Sequence, residues 1–475
     1  MGENNAGKST VVKAMLALLD YLNTKIDYST DEILNQQFYF NNSYFAHIGT
    51  FQRALNNNAT EEKIYFDIAS DLYNIHIEVA GDKGDEQAIS GRISKFVIKL
   101  SELNIDFIFD FFREHANVVF HKYSGISFAP NNLLNEIIYT ARERSILKKY
   151  YKAMVSDIEI ENIPLSGINT TISTPTGLIA IILRRITATI EESQKQKKDP
   201  AFNDPMSIPI DESKLKFLTD NAALFNVFIP VHYYGVNDEF SKDNVEYIYA
   251  HAVTQTAMYS AKDINDYYVK TIHEFANQRI VSGTPVHSFI LKWMNVFNIG
   301  KDYEIKSYGG EAHEVKITNE DNTIVNLADK GMGSIQLMIL LFRLATKMSQ
   351  SKIGYGGKSV NLTIIVEEPE QNLHPKLQSK LAELFFYLNQ EYGIKFIIET
   401  HSEYLIRRTQ AIVGSEYNKN EDFINPFKVY YFPATGIPYD MPYAKSGRFE
   451  EQFGSGFFDE ATKWNREILR NENAR

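Results

Sequence analysis

Residues near the N-terminus have the types and the spacing of a loop that binds phosphate. Residues 2–10 read Gly-Glu-Asn-Asn-Ala-Gly-Lys-Ser-Thr, a pattern that leads into a helical segment. The glycines let backbone N–H groups curl around an anion, the lysine reaches the β and γ oxygens of a nucleotide, and the serine hydroxyl binds Mg²⁺. A glycine-rich loop with an incidental Gly-Lys-Ser is the alternative. The predicted nucleotide-binding residues are Gly2, Asn5, Gly7, Lys8, Ser9 and Thr10.

Two adjacent carboxylates lie near the other end of the chain, directly after an apolar run. Residues 362–366 read Leu-Thr-Ile-Ile-Val and are followed by Glu367 and Glu368. Such a run is typical of a buried parallel strand, and α/β sheets bind ligands at the carboxyl ends of these strands. We therefore predict that Glu367 holds Mg²⁺ and that Glu368 is the general base for the attacking water. On an exposed helix the same pair would only be solvated.

A histidine, His401, follows the next apolar run, residues 394–398. A helical segment separates the two runs, so they form a strand–helix–strand unit with His401 at its end. In this position His401 can hydrogen-bond a γ-phosphate and report whether that group is present, which makes it the second predicted catalytic residue. Without this context, a structural role would be the usual interpretation of a lone histidine.

A glycine-containing segment precedes a long apolar helix. Residues 327–336 read Leu-Ala-Asp-Lys-Gly-Met-Gly-Ser-Ile-Gln, and the apolar helix continues through Leu344. Glycines, a serine and a helix N-terminus together make an end that can bind an anion. Taken alone, the segment is better interpreted as a capped helix after a turn.

The order of predicted elements gives an α/β fold in three parts. Residues 1–100 contain the phosphate loop, a helix and an antiparallel sheet, residues 101–300 are a mainly helical insertion, and residues 301–475 return to alternating strands and helices. The two outer parts would form one discontinuous domain. The helical period places on one face Met15, Leu18, Leu19 and Leu22. The alternating patterns predict antiparallel strands at 64–68, 73–79 and 96–98.

Composition restricts the class of protein. The 475 residues carry a net charge of -11, which argues against a protein that coats nucleic acid indiscriminately. The absence of cysteine excludes disulfides, thiolate metal sites and cysteine nucleophiles. The most apolar run, residues 178–183, is far shorter than the roughly 20 residues that span a bilayer, and no signal peptide is recognisable. These features predict a cytoplasmic protein without a membrane partner.

Four motifs in this order resemble the ABC-type P-loop ATPases of the bacterial OLD-like and RecF/SMC-like group. The wording of residues 2–10 is similar to that group's Walker A motif, and residues 367–375 to its Walker B motif and D-loop, with Glu for the usual first Asp. Residues 400–402 resemble its switch histidine, and residues 329–336 its divergent signature segment. A C-terminal tail that resembles one branch of the group adds residues 447–449 and 456–460.

The resemblance covers roughly residues 1–80 and 300–465 and implies a mechanism. It implies a fold with an ATPase head, bound ATP and Mg²⁺, and a homodimer in which two heads sandwich two ATP molecules. Residues 48–52 fall where the group has its Q-loop, which makes Gln52 a further candidate Mg²⁺ ligand beside Ser9 and Glu367. The signature residues that would complete the partner's site are Gly331, Gly333, Ser334 and Gln336.

Two departures from the group's pattern modify this expectation. The phosphate loop begins at residue 2, so the strand that the group has before it is missing from the sequence. We expect either a start assigned too late or a truncated product, and the motifs alone do not establish ATP binding by this chain. OLD-type nucleases continue into a Toprim domain, and only about 75 residues follow His401, too few for that module by usual domain sizes. We therefore expect an ATPase that is not itself a nuclease.

Three functions remain open from the sequence. The first is an ATP-hydrolysing switch that acts on DNA or on a separate effector, as in bacterial defence systems whose ATPase has a nuclease or toxin partner. The second is a scaffold that binds a partner protein without hydrolysis. The third is direct DNA binding by a predicted basic helix, since mixed basic and aromatic surfaces bind phosphates and bases. Its basic residues are Arg142, Arg144, Lys148, Lys149 and Lys152.

Overall fold

The chain divides into two compact units. One unit, here the α/β unit, consists of Met1–Ser9 and Val245–Arg475, and the other, here the antiparallel unit, consists of Thr10–Asn244. The computed structural model describes residues 7–23, 37–41, 48–55, 60–69, 74–81, 87–100, 105–110, 115–120, 158–164, 245–249, 255–263, 266–350, 362–433, 436–454 and 458–473. In this part of the chain, every helix is too short or too polar to cross a membrane.

The described residues of the antiparallel unit form a seven-stranded sheet with two helices. The main path of the sheet runs β2-β3-β4-β5-β6-β7, each pair antiparallel, and β1 also pairs with β4. The elements are α1 (Lys8–Asn23, whose first two residues belong to the α/β unit), β1 (Gln37–Tyr39), α2 (Phe51–Ala54), β2 (Lys63–Ala69), β3 (Asn74–Ala80), β4 (Ser90–Leu100), β5 (Ile105–Asp110), β6 (His115–Phe120) and β7 (Ile158–Pro164).

Alternation of side chains explains β3 and its neighbours. Ile75, Ile77 and Val79 point to one buried face of β3, and Phe96 and Ile98 are buried on β4. This period of two is the pattern of a strand with one covered face. The three strands predicted at 64–68, 73–79 and 96–98 are confirmed.

Strands also occupy the described residues between 101 and 164, where the sequence analysis predicted mainly helix. β5 reads Ile-Asp-Phe-Ile-Phe-Asp and β6 reads His-Ala-Asn-Val-Val-Phe, both rich in the β-branched and aromatic residues that suit a pleated surface. These strands extend the sheet by antiparallel pairing from β4 through β7. The remaining insertion up to residue 244, including the basic residues 142–152, lies outside the described residues.

The predicted N-terminal helix is confirmed, but its apolar face was assigned wrongly. Leu16, Ala17 and Tyr21 are buried together with the predicted Leu22, whereas Met15 is 37% exposed. Because the whole helix is rich in apolar residues, the helical period alone fits more than one face.

The α/β unit contains a parallel sheet and a second, antiparallel sheet. Its elements are β8 (Val245–Ile248), β9 (Tyr259–Ser260), α3 (Tyr267–Asn277), α4 (Pro285–Val296), β10 (Asp302–Tyr308), β11 (Ala312–Thr318), β12 (Ile324–Asn326), α5 (Met332–Gln350), β13 (Thr363–Glu367), α6 (Pro375–Tyr392), β14 (Lys395–Glu399), α7 (Glu403–Lys419), β15 (Tyr430–Tyr431), β16 (Tyr439–Asp440) and α8 (Glu460–Asn473). Short 3₁₀ turns occur at Ala261–Asp263 and Leu327–Asp329.

The parallel sheet, as far as it is described, has the order β14-β13-β8. Val366 of β13 pairs with Ile398 on one side and with Ile248 on the other. The predicted strand–helix–strand unit, β13-α6-β14, is therefore confirmed. Its helix starts with Pro375 at the first turn and ends at Gly393 in the left-handed conformation, the expected positions for these two residues.

A buried ion network connects β8 with two helices. Arg343 of α5 contacts Glu246 of β8 and Glu274 of α3, and Lys347 lies 2.9 Å from Glu246. Glu246 and Arg343 are both buried, so each charge requires the other. The network therefore fixes α5 against the sheet.

A close backbone contact joins α7 to the C-terminal segment. Gly447 has φ of +80°, and a Cβ atom there would lie 2.0 Å from the carbonyl oxygen of Gln410. On the facing helix, a Cβ at Gly414 would lie 2.6 Å from the carbonyl oxygen of Ser446. At position 447, only glycine permits both the positive φ and the close approach to the backbone of α7.

We predict that Gly447→Ala lowers the free energy of unfolding by more than about 3 kcal/mol, because backbone strain and overlap with Gln410 add together. Gly310→Ala is the matched control, since Gly310 has φ of +76° with no heavy atom within 4 Å of an added Cβ. That control should cost about 1 kcal/mol from backbone strain alone. Urea unfolding of both variants measures the difference, and equal losses would contradict the contact.

Candidate functional site

The described end of the phosphate loop lies in the α/β unit. Gly7 has φ of +84°, Lys8 begins α1 and is only 6% exposed, and Ser9 follows it. The Ser9 hydroxyl donates a hydrogen bond of 2.7 Å to Glu399 Oε1, a residue 390 positions away in the sequence. Of the other predicted nucleotide ligands, Gly2 and Asn5 lie outside the described residues, and Thr10 is exposed at the start of the antiparallel unit.

The parallel register brings carboxylates together at the ends of two strands. Glu367, the last residue of β13, pairs in register with Glu399, the last residue of β14. The hydroxyl of Tyr247, on β8, hydrogen-bonds to Glu367, and burial with this contact raises the tyrosine's pKa. Sequence reasoning identified Glu367 but missed Tyr247 and Glu399. The position of Glu399 at the end of the second apolar run was the signal that could have found it.

Glu368 is held in an unusual backbone conformation beside His401. Its φ is +42°, which is uncommon for a residue other than glycine, and its N–H donates a 2.8 Å hydrogen bond to the carbonyl oxygen of Glu399. The side-chain amide of Gln371 donates to one carboxylate oxygen, and His401 Nε2 lies 3.5 Å from the other. Such strain costs of order 1–3 kcal/mol and is found where a site requires a particular orientation.

Glu368, Glu399 and His401 form a compact cluster. One potential ligand atom of each lies within 4.8 Å of the others. Burial lowers the pKa of Lys8, and the nearby carboxylates of Glu399 and Glu368 partly offset this effect. The structure thus places the predicted lysine, base and histidine in one electrostatic environment.

The His401 imidazole is poised to be neutral. Burial lowers its pKa, and the positive charge of Lys8 lowers it further, although Glu368 and Glu399 act in the opposite direction. A neutral imidazole offers one donor and one acceptor nitrogen. His401 can therefore donate a hydrogen bond to a phosphate oxygen without being charged.

A further acid that sequence reasoning did not assign to the site, Glu370, positions the backbone of His401. Glu370 Oε1 accepts a 2.6 Å hydrogen bond from the His401 N–H, and the Thr400 side chain also hydrogen-bonds this carboxylate. Burial raises the pKa of Glu370. The loop that follows β13 is thereby joined to the loop that follows β14.

The predicted signature segment packs against the loop that follows β13. A Cβ at Gly333 would lie 2.7 Å from the carbonyl oxygen of Asn372, and Asn372 Nδ2 donates a 3.2 Å hydrogen bond to Gln336 Oε1. Ser334 is half-buried and Gly331 is exposed. The structure therefore requires glycine at 333, while the role of the segment toward a partner stays a prediction.

Gln52 lies in the antiparallel unit. It is exposed in α2, a single turn capped by the Thr50 hydroxyl. Its assignment as an Mg²⁺ ligand stays a prediction.

The oxygen atoms of Glu399 and of its neighbours Ser9 and Glu367 fit a hard divalent cation. Ser9 offers a hydroxyl, and Glu367 and Glu399 offer carboxylate oxygens, the ligand class that Mg²⁺ prefers. Glu399 Oε2 is buried and has no hydrogen-bond partner in the structure as described. Because a buried carboxylate oxygen without a partner is costly, a bound cation would satisfy it.

We predict that lowering the pH raises the free energy of unfolding of the wild type relative to that of Glu370→Gln. Because the folded pKa of Glu370 is raised, the folded protein binds this proton more tightly than the unfolded chain, so this contribution to stability is present at low pH and lost as pH rises through the folded pKa. Urea unfolding at about pH 8 and about pH 5 measures the difference in free energy between the two proteins. Glu304→Gln, at an exposed position, is the control, and a difference that is independent of pH would contradict the assignment.

Comparisons with known proteins bear on this arrangement. A search of the curated proteins found no match. A solved Smc head domain with an extended coiled coil, bound to the C-terminal domain of ScpA and derived from Pyrococcus furiosus, is 11% identical. That alignment covers 98% of this chain and 92% of the other with a TM-score of 0.29, a likeness too low to carry an argument.

A comparison with protein-family models identifies the family of this chain. The model of the AAA ATPase domain family matches residues 1–406, most of the chain, and the match includes the phosphate loop, Glu367, Glu368 and His401. The chain belongs to the AAA ATPase domain family.

Proposed function

We propose that the protein is an ATP-hydrolysing switch of the ABC type, with one site built from both ends of the sequence. The observation that carries this proposal is the convergence of Ser9 and Lys8 with Glu368, Glu399 and His401 at the carboxyl ends of β13 and β14. The membership in an ATPase family supports the same reaction.

The residues have separable roles in hydrolysis. Lys8 binds the β and γ phosphate oxygens, and Glu368 accepts the proton of the water that attacks the γ-phosphorus. Gln371 and the strained backbone hold the Glu368 carboxylate, while neutral His401 donates a hydrogen bond to a γ-phosphate oxygen. Mg²⁺, when bound by Ser9 and the carboxylates, supplies charge neutralisation for the phosphate oxygens.

Substitution of two residues separates binding from hydrolysis. Glu368→Gln should leave ATP affinity within about threefold of wild type while slowing turnover by about 10²-fold or more, since the water loses its proton acceptor. Lys8→Ala should instead weaken ATP binding itself, by about tenfold or more. Phosphate release and equilibrium binding measure these quantities.

Glu304→Gln is again the control, because this carboxylate is exposed on β10. Normal turnover by Glu368→Gln would contradict the assignment of the base, and unchanged affinity in Lys8→Ala would contradict the phosphate loop. A folded wild type that binds ATP without turnover would favour a non-hydrolysing scaffold.

We further propose that two copies share their sites through the signature segment. Gly331 and Met332 are exposed at the N-terminus of α5, where backbone N–H groups can meet a partner's nucleotide. The packing of Gly333 on Asn372 connects this end of the helix to the loop that carries Glu368 and Glu370. Hydrolysis in one site is thereby coupled to the surface that faces the other copy.

Mixing two inactive variants tests the shared site. Lys8→Ala removes the phosphate loop's lysine, and Ser334→Arg blocks the signature surface, so each homodimer should be inactive. In a mixed dimer one of the two composite sites is intact, and random pairing should restore up to about one quarter of wild-type turnover. Ser334→Arg should still bind ATP, and the absence of recovery despite mixed dimers would contradict a shared site.

The target of the switch is proposed from the sequence resemblance. The proposal is that the protein is an OLD-like or RecF/SMC-like relative in which hydrolysis controls DNA or a separate effector, such as a nuclease or toxin in antiphage defence. Stimulation of turnover by DNA, with affinity that falls steeply as salt rises, would support the first target. Turnover insensitive to DNA would favour a protein effector.

A further inference from the structure

Glu399 occupies an unusual place among the acids of the site. It is 5% exposed, and its Oε1 accepts the hydrogen bond from Ser9 Oγ. The sequence analysis assigned Glu367 as cation ligand and Glu368 as base, whereas it gave Glu399 no role. Its carboxylate also lies close enough to Lys8 to be the largest opposing influence on the lowered pKa of that lysine.

The partners of Glu399 are the two side chains of the phosphate loop that a nucleotide needs. Ser9 supplies the hydroxyl for the cation, and Lys8 supplies the positive charge for the phosphates. In the structure, the carboxylate of Glu399 accepts a hydrogen bond from the Ser9 hydroxyl and attracts the positive charge of Lys8. A phosphate group would make the same two interactions. Glu399 therefore acts as an internal anion toward Ser9 and Lys8.

We propose that Glu399 makes nucleotide binding depend on a divalent cation. Without a cation, its buried carboxylate competes with the phosphates for Lys8 and Ser9 and repels them. With a cation, the same carboxylate becomes a ligand through Oε2, which is buried without a hydrogen-bond partner. Ser9 would keep its hydrogen bond to Oε1, and its oxygen would still have lone pairs to offer a cation.

The repulsion between Glu399 and the nucleotide phosphates is large because the site is poorly solvated. Like charges separated by several ångströms repel strongly at the effective dielectric constant of a protein, and burial limits screening by salt. Nucleotide without metal carries its full negative charge into a site that already contains Glu367, Glu368 and Glu399. The inference rests on the proposed function, because it assigns a regulatory residue within the same site.

Binding of a non-hydrolysable ATP analogue tests the proposal without requiring turnover. The measured quantity is the ratio of dissociation constants in EDTA and in Mg²⁺. In Glu399→Gln, which keeps the shape and an acceptor for Ser9, we expect affinity in EDTA to rise by about tenfold and the ratio to fall by at least that factor. Glu399→Ala, a second neutral variant, should also lower the ratio.

Two controls separate charge from structure. Glu399→Asp keeps the negative charge, so its ratio should stay within about threefold of wild type even if Ser9 loses its partner. Glu304→Gln should not change the ratio. An unchanged ratio in a folded neutral variant, or a ratio in Glu399→Asp that falls as far as in Glu399→Gln, would overturn the proposal.

The outcomes distinguish this inference from the proposed function. If wild type does not bind the analogue even with Mg²⁺, the proposed function fails and the Glu399 inference fails with it. If wild type binds and all variants show the same ratio, the Glu399 inference alone is wrong. Thermal unfolding of each variant identifies a variant that does not fold.

Discussion

The parallel pairing of β13 with β14 is the constraint on which the site depends. Parallel strands that end at the same level place their last side chains next to each other, and here those side chains are Glu367 and Glu399. The apolar residues of β13 before Glu367 are fully buried, so this strand cannot slip without exposing Ile364 and Val366. The hydrophobic core thereby determines how closely two carboxylates approach.

This proximity of charges explains the surrounding contacts. Carboxylates near one another repel, and three interactions offset this repulsion. Lys8 places a positive charge near Glu399 and Glu368, the Gln371 amide donates a hydrogen bond to Glu368, and the His401 backbone N–H donates one to Glu370. The positive φ of Glu368 belongs to the same arrangement, because its N–H reaches the carbonyl oxygen of Glu399. Local strain and charge repulsion are both held in place by the packed sheet.

The sequence predicted which residue types carry the chemistry of the site better than it predicted the contacts between those residues. Lys8, Glu368 and His401 could be found because their motifs combine residue type with a position after an apolar run. Glu399 was missed although it ends the second apolar run, because its pairing with Glu367 arises from the register of the sheet. Glu370 could not be assigned, since its role arises from a backbone hydrogen bond between separate loops. A single sequence contains no direct signal of such pairings.

The same limit applies to the fold. The runs at 362–366 and 394–398 predicted parallel strands correctly, because continuous apolar residues leave few alternatives, but β14 is only partly buried. The third strand, β8, was missed because its four residues include a buried charge, Glu246, whose partner Arg343 lies 97 positions away. β5 and β6 were missed because short apolar runs fit either type of element.

The ion network of Arg343 has a mechanical consequence. α5 carries the exposed glycine turn at one end and Arg343 in its buried middle, where two carboxylates from β8 and α3 contact it. Sliding the helix along the sheet would leave Arg343 and Glu246 buried and unpaired, at a cost of about 3–5 kcal/mol. A displacement of the first turn of α5 would therefore move α5, β8 and α3 together as one rigid body, and α5 itself would not deform.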